Sequence, residues 1–286
     1  MLNRREVMIG TLAAGLPTSL RATSTSPFDA VEATLAGGRI GVAAIDLASR
    51  RALLHRADER FAFCSVAKIP LAAAVLARID AGQLTGEQPV PITQGDLLDY
   101  APSTRAALEQ GHMSVHQLCE AAVVVSDNTA ANLLLPLVGG LAGLTRFVRS
   151  HGDRVTRFDR DEPALNTNRP GDPRDTTTPR ATIGLLERLL AGHALAPKSR
   201  ARLAGLMVAC STGKARLRAG FPARWRAGDK TGTGERGAVN DLAVAWPVPH
   251  RLPLLVACYI DAPQVSVEVA EAAQAAVGRI AASLVR

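Results

Sequence analysis

The stretch FAFCSVAK, Phe61 to Lys68, sets a hydroxyl and an amine three residues apart at the mouth of the apolar run IPLAAAVLARI. On an α-helix, positions i and i+3 share a face, so Ser65 and Lys68 can meet. An amine beside a serine hydroxyl is one route to an activated nucleophile. The same pair also suits plain structure, with Ser65 capping a helix and Lys68 reaching outward. Two more polar sets interrupt apolar sequence. VVVSDNTAANLLL places Ser126, Asp127 and Asn128 where each must find a hydrogen-bond partner, either as chemistry or as a capping cluster between two short helices. GDKTGTGERG puts Lys230, Thr231, Gly232 and Thr233 on an expected strand whose glycines let a substrate come close to the backbone, or simply at a strand end with a turn.

Elements that position these sets follow from periodicity. RIGVAAIDLASRRALLH, Arg39 to His55, alternates around a turn at Ser49-Arg50 and predicts a hairpin. From Ile69 to about Met207 the chain reads mostly helical, with Ser, Thr or Pro at several starts and Gly at several ends. Strand-like runs return in WRAGDKTGTG, GAVNDLAVAWP and RLPLLVACYIDAP, and a terminal helix is expected from about Val265 to Val285. The expected fold is α/β (α+β): an antiparallel sheet built from both termini and flanked by helices, with an inserted all-α subdomain. The boundaries read as 23–63 and 208–286 for the α/β part and 64–207 for the all-α part. No internal repeat or low-complexity linker is visible.

Composition narrows the function. With 286 residues, 47% of them hydrophobic, the chain can bury a large core, which excludes disorder. Only 3% is aromatic and the charges are scattered, so a nucleic-acid partner is not expected. The formal charge of +7 suits small anionic substrates equally well. Residues 1–22 combine Arg4-Arg5, a short apolar middle and a small residue near Ala22, the pattern of a removable export signal. The paired arginines before Val7-Met8 resemble a twin-arginine address, implying a periplasmic protein with no membrane contact after signal removal. Cys64, Cys119, Cys210 and Cys258 are far apart in apolar contexts and are expected to be mostly free thiols. His112 and His116 are four apart, but nothing nearby completes a metal site, so they are expected on a solvated helix face. No metal or cofactor is called for.

Taken in order, S-x-x-K at Ser65, S-D-N at Ser126 and K-T-G at Lys230 resemble the penicillin-recognising serine enzymes, a set shared by class A β-lactamases and penicillin-binding proteins. RDEPALNT, with Glu162 and Asn166 four apart, is similar to the class A omega loop, expected at about 160–175. The similarity runs from about residue 35 to the C-terminus. It implies that Ser65 attacks the lactam carbonyl, with Lys68 or Glu162 taking its proton, and that Glu162 serves deacylation. It further implies that Ser126 relays a proton to the leaving nitrogen and that Asn128 holds the substrate's side-chain amide. Ser65 and Thr233 would supply oxyanion N–H groups. Lys230, Thr231, Gly232 and Thr233 would line the carboxylate subsite, with Arg216 as a further carboxylate-binding arginine. Tyr100 resembles the aromatic at the pocket entrance. Arg160 and Asp175 would close the loop's neck as a buried pair.

Some carbapenem-hydrolysing relatives tie the position of Cys64 to a second cysteine, and the matching position here is Gly234. That disulfide is therefore not expected. A D,D-peptidase would share Ser65, Lys68, Ser126 and Lys230 but lack the deacylating carboxylate of EPALN. A β-lactam sensor domain is normally tethered by a true membrane span, which the sequence does not display. The expectation is a monomeric enzyme that hydrolyses penicillins and cephalosporins and confers resistance.

Overall fold

The computed structural model describes residues 26–285. The expected export signal, with Arg4 and Arg5, lies outside the described residues. In chain order the elements begin with α1 (Asp29–Glu32), then the hairpin β1 (Arg39–Asp46) and β2 (Ala52–His55), and the two-residue β3 (Phe61–Ala62). The central part holds α2 (Lys68–Asp80), β4 (Pro89–Pro91), α3 (Pro102–Ala106), β5 (His112–Ser114), α4 (Val115–Val124), α5 (Asn128–Leu134), α6 (Gly140–Ser150) and β6 (Thr176–Thr177). The chain closes with α7 (Pro179–Leu190), α8 (Pro197–Ala209), β7 (Arg226–Thr233), β8 (Ala238–Trp246), β9 (Leu254–Asp261) and α9 (Val267–Ala282).

Five strands form one antiparallel sheet in the order β2-β1-β9-β8-β7, so the first and last strands of the chain meet at its centre. Successive side chains of a strand point to opposite faces. Leu242, Val244, Leu255 and Ala257 accordingly enter one core with α2, α4 and α7, while Ala243, Ala245, Val256 and Cys258 enter a second core under α9. Helices on both faces explain why β8 and β9 are buried almost throughout and read as continuous apolar runs. The expected α/β class with an antiparallel sheet assembled from both termini is what the structure displays. α7 packs on β1 and β9, and α8 on β7, so both also brace the sheet.

The stretch expected to be all-α is mostly helical but not purely so, since β4 pairs with β5 and β6 with β3; it is organised around α2, buried from Lys68 to Leu76 and flanked by α4, α5, α6 and α8. The apolar run around Ser126 is not one helix. It breaks between α4 and α5, where Ser126 adopts φ 62° and Asp127 caps α5 by accepting from Ala130 N at 2.9 Å. One expectation is overturned: His112 and His116 do not share a helix face. His112 lies on β5 and His116 on α4, whose cap at Ser114 separates them with a full capping box to Gln117. No single helix among the described residues is long and apolar enough to cross a membrane.

Candidate active site

A 3-10 turn, Cys64–Ala67, leads directly into α2, so Ser65 sits one turn ahead of Lys68 with Cys64 in the left-handed region at φ 49°. Non-glycine residues there carry strain and mark positions the surroundings over-determine. Lys68 Nζ donates to Ser65 Oγ at 3.0 Å, to Ser126 O at 2.8 Å and to Asn128 Oδ1 at 2.6 Å, and it pairs with Glu162 Oε1 at 2.9 Å. Ser65 Oγ in turn donates to Glu162 Oε1 at 3.2 Å. Burial pushes the pKa of Lys68 down, while Glu162 opposes the shift by favouring the cation. The spacing read from the sequence therefore produces contact between amine and hydroxyl, with a carboxylate touching both.

Ser126 connects this group to β7. Lys230 Nζ donates to Ser126 Oγ at 3.0 Å, and Lys68 reaches the same oxygen at 3.3 Å. Lys230 is fully buried, and desolvation together with the neighbouring Lys68 charge pulls its pKa down to about 7. Asp127, the middle residue of S-D-N, faces away and accepts from Ser103 N, Thr104 N and Thr104 Oγ1 at 2.9 to 3.0 Å. It holds the turn that presents its two neighbours. The side chain of Tyr100 is half exposed, and its carbonyl accepts from Asn128 N at 3.0 Å.

Glu162 arrives on the loop between α6 and β6. Asn166 Nδ2 donates to Glu162 Oε2 at 2.6 Å, and Asn166 Oδ1 is buried with no protein partner. A buried acceptor of this kind suits an ordered water. The neck of the loop is closed by Asp175, wholly buried, which takes Arg160 Nε at 2.5 Å and the backbone N–H groups of Asp159 and Arg160. Arg160 also donates to Thr167 Oγ1 at 2.8 Å.

β7 forms the opposite wall. A Cβ on Gly232 would stand 2.6 Å from Phe63 O and 3.3 Å from Ser65 N, so only glycine lets the strand approach the Ser65 turn this closely. Thr231 Oγ1 meets Thr212 Oγ1 at 2.6 Å. Arg216 is 5% exposed and donates to Thr233 Oγ1, Gly232 O and Asn240 O at 2.8 to 3.1 Å, while Glu271 on α9 accepts from its Nε. Its guanidinium is thus enclosed behind Thr233 rather than open to the cleft. A Cβ on Gly234 would lie 2.7 Å from Cys64 Sγ. All four cysteines are unpaired and buried, and burial pushes the Cys64 thiol up to about 12.

The structure brings Ser65, Lys68, Ser126, Asn128, Glu162, Asn166 and Lys230 into one hydrogen-bonded group, with Thr231, Gly232, Thr233 and Arg216 on the adjoining strand wall. Arg160 and Asp175 lie at the loop neck. Sequence reasoning missed Asn132, whose Nδ2 donates to Glu162 O at 2.9 Å and whose Oδ1 accepts from Glu162 N at 3.0 Å. Its signal was available, since Asn132 follows Asn128 by one helical turn. Thr212 and Glu271 gave no such signal, because their partners are distant in sequence. Among the described residues no group of three His, Cys, Asp or Glu side chains could hold a metal ion.

A buried serine bonded to a lysine and a carboxylate, against an edge strand carrying K-T-G, defines a serine hydrolase of the acyl-transfer kind. The chain belongs to the Beta-lactamase enzyme family, whose sequence model matches residues 25–286, and it is a class A serine β-lactamase. It is similar to Beta-lactamase L2 of Stenotrophomonas maltophilia, 44% identical over 276 residues covering 96% of this chain and 90% of that one. It is also similar to Beta-lactamase CTX-M-97 of Escherichia coli, 46% identical over 232 residues covering 81% and 79% respectively. Among solved structures, an ancestral class A β-lactamase superposes with a TM-score of 0.84 at 50% identity, covering 89% of this chain and 99% of that one. A β-lactamase from Xanthomonas campestris superposes with a TM-score of 0.85 at 43% identity, covering 91% and 99%.

Proposed function

We propose that this hydrolase opens the lactam ring of penicillins and cephalosporins through an acyl-enzyme on Ser65, and that Glu162 drives its release. In acylation the Ser65 Oγ–carbonyl bond forms and the lactam C–N bond breaks. The Ser65 proton passes to Lys68 or Glu162, both within 3.2 Å of Oγ. Ser126, bonded to both lysines, supplies a proton to the departing nitrogen. Backbone N–H groups of Ser65 and Thr233 stabilise the developing oxyanion. Lys230 and Thr231 attract the substrate carboxylate, Arg216 fixes Thr233 from behind, and Asn128 and Tyr100 contact the substrate side chain. In deacylation a water held by Glu162 and Asn166 attacks the ester, the Oγ–carbonyl bond breaks, and the proton returns to Ser65.

The observation that carries this reading is Glu162 Oε1 touching Ser65 Oγ while Asn166, bonded to Oε2, keeps a buried acceptor free. A positioned general base is worth about a hundred- to ten-thousand-fold. Glu162→Ala should therefore still be labelled by benzylpenicillin but clear the adduct that much more slowly, as read by time-resolved intact mass. Ser65→Ala should take no label. Clearance by Glu162→Ala at the native rate would remove the deacylation role. A D,D-peptidase or sensor would already accumulate the adduct as the native protein.

The same proposal places the mature enzyme in the periplasm as a monomer, exported by the twin-arginine route on the basis of Arg4-Arg5. Changing both arginines to lysine should leave active enzyme inside the cell. Unchanged periplasmic activity after fractionation would point to an ordinary secretory signal.

A further inference from the structure

The far end of α2 from Lys68 carries two arginines with no acidic partner among the described residues. Arg78, near the C-terminus of α2, and Arg146, on α6, converge on Gly139: the place a Cβ would occupy there is 3.8 Å from Arg78 Nη2 and 3.5 Å from Arg146 Nη2. Among the described residues Arg78 donates only to Val138 O, at 3.4 Å, and Arg146 has neither a hydrogen bond nor an ion pair. Sequence explains the missing counter-charge. No Asp or Glu occurs between Asn128 and Asp153, which covers all of α5 and α6. The one acid on α2, Asp80, is engaged elsewhere, accepting from Ala196 N and Ser199 Oγ. Arg149, the other arginine of α6, is turned to the carbonyls of Asp153 and Thr156.

The two guanidinium groups stand at the edge of a groove of about 370 Å³ walled by Ala77, Val138 and Phe147. Small-ligand sites combine such apolar walls with a few polar groups that fix orientation. Guanidinium is always charged, and its strongest partners are oxyanions bound through charge-assisted hydrogen bonds. The arginines come from different helices, and both Nη2 atoms lie within 3.8 Å of one point at Gly139, so a single anion can meet both. A tetrahedral phosphate offers several oxygens to two separate donors, whereas a planar carboxylate matches a single fork.

We propose that Arg78 and Arg146 form a binding site for a small phosphate monoester whose apolar group lies against Phe147. The site is separate from the Ser65 cleft, so its failure would leave the hydrolytic reading intact. The test is titration of the full mature enzyme with phenyl phosphate and with inorganic phosphate, at constant ionic strength, following the arginine Nε–Hε resonances. Saturable shifts at Arg78 and Arg146 are expected, with phenyl phosphate binding several-fold more tightly than inorganic phosphate. Arg146→Gln and Arg78→Gln should each weaken phenyl phosphate by about tenfold or more, while Arg146→Lys retains part of the affinity. Both Gln variants should keep native benzylpenicillin turnover and melting temperature. Arg224→Gln, at an exposed arginine elsewhere, should change nothing. Absence of saturation, equal affinity for the two phosphates, or equal weakening by Arg224→Gln would overturn the proposal. Shifts produced by phosphatidylglycerol vesicles but not by phenyl phosphate would overturn it too, in favour of a lipid headgroup.

Discussion

Asn132 grips Glu162 by its backbone, donating to its carbonyl at 2.9 Å and accepting from its N–H at 3.0 Å. A side chain on α5 thereby imitates one rung of a β-ladder and fixes the loop residue whose carboxylate touches Ser65. Asn132→Ala leaves two backbone groups of Glu162 without partners, at about 1 to 3 kcal/mol for a buried polar group. Deacylation should slow roughly tenfold to a hundredfold, with a smaller effect on acylation. Burst kinetics and thermal melts check this, and unchanged values for both would show that the loop holds Glu162 without help.

Lys230 gives a pH dependence of known sign. With its pKa near about 7, the free enzyme loses the ammonium as pH rises through that value. Attraction for a carboxylate falls with it, so kcat/KM for a penicillin should decline on the alkaline side. Stability moves the other way. The unfolded lysine keeps its proton to about 10.4, so the unfolded chain binds more protons between about 7 and 10.4, and Lys230's contribution to stability rises with pH across that window. Lys230→Arg should move the alkaline limb of kcat/KM upward; a limb that stays put would belong to another group.

Asp175→Ala should be strongly destabilising. The carboxylate is fully buried and serves Arg160 together with two backbone N–H groups. Breaking a buried pair by removing one partner costs about 3 to 5 kcal/mol, and because Asp172 stands 3.7 Å from Arg160 Nη2 and still compensates part of its charge, the lower end is expected. Chemical denaturation reads the loss, and Asp175→Asn, which keeps one acceptor, should lose less.

Gly232→Ala tests the close approach of β7 to the nucleophile turn. The new methyl must displace Phe63 O or the strand itself, an overpacking of about 1 to 3 kcal/mol. Ser65 N lies beside the same point, so kcat/KM should fall by about a hundredfold if the turn moves by an ångström. Native kcat/KM would mean that the strand, and not the turn, gives way.

Ser126 with Lys230, 104 positions apart, and Arg160 with Asp175, 15 apart, were legible only through the resemblance of their motifs, whereas other residues were legible because their chemistry depends on a neighbour one helical turn away. Ser65 with Lys68, and Glu162 with Asn166, are of that kind. Asn132 had the right spacing from Asn128 but sits in an Ala- and Leu-rich helix, where a lone amide reads as a solvated polar residue. Glu271 and Thr212 act on residues 55 and 19 positions away, so only the folded chain brings them together. Strands β3 and β6, two residues each, are too short for any alternation to register. His112 and His116 misled because helical spacing says nothing when a cap falls between the two positions.

Arg39 and Asp261 are register partners separated by 222 positions, and β9 is the middle strand of the sheet. Translation at about 5 to 20 residues per second leaves the β1–β2 hairpin waiting roughly 10 to 45 s for its principal neighbour. Throughout that interval Ile40, Val42 and Ala44 have little of their core beyond Phe28, Val31 and Leu35, since the helix that completes it is the last element made. Loss of the final two elements through a premature stop would therefore do more than trim an edge: it would separate β1–β2 from β7–β8 and leave two apolar ribbons with open edges, a template for aggregation.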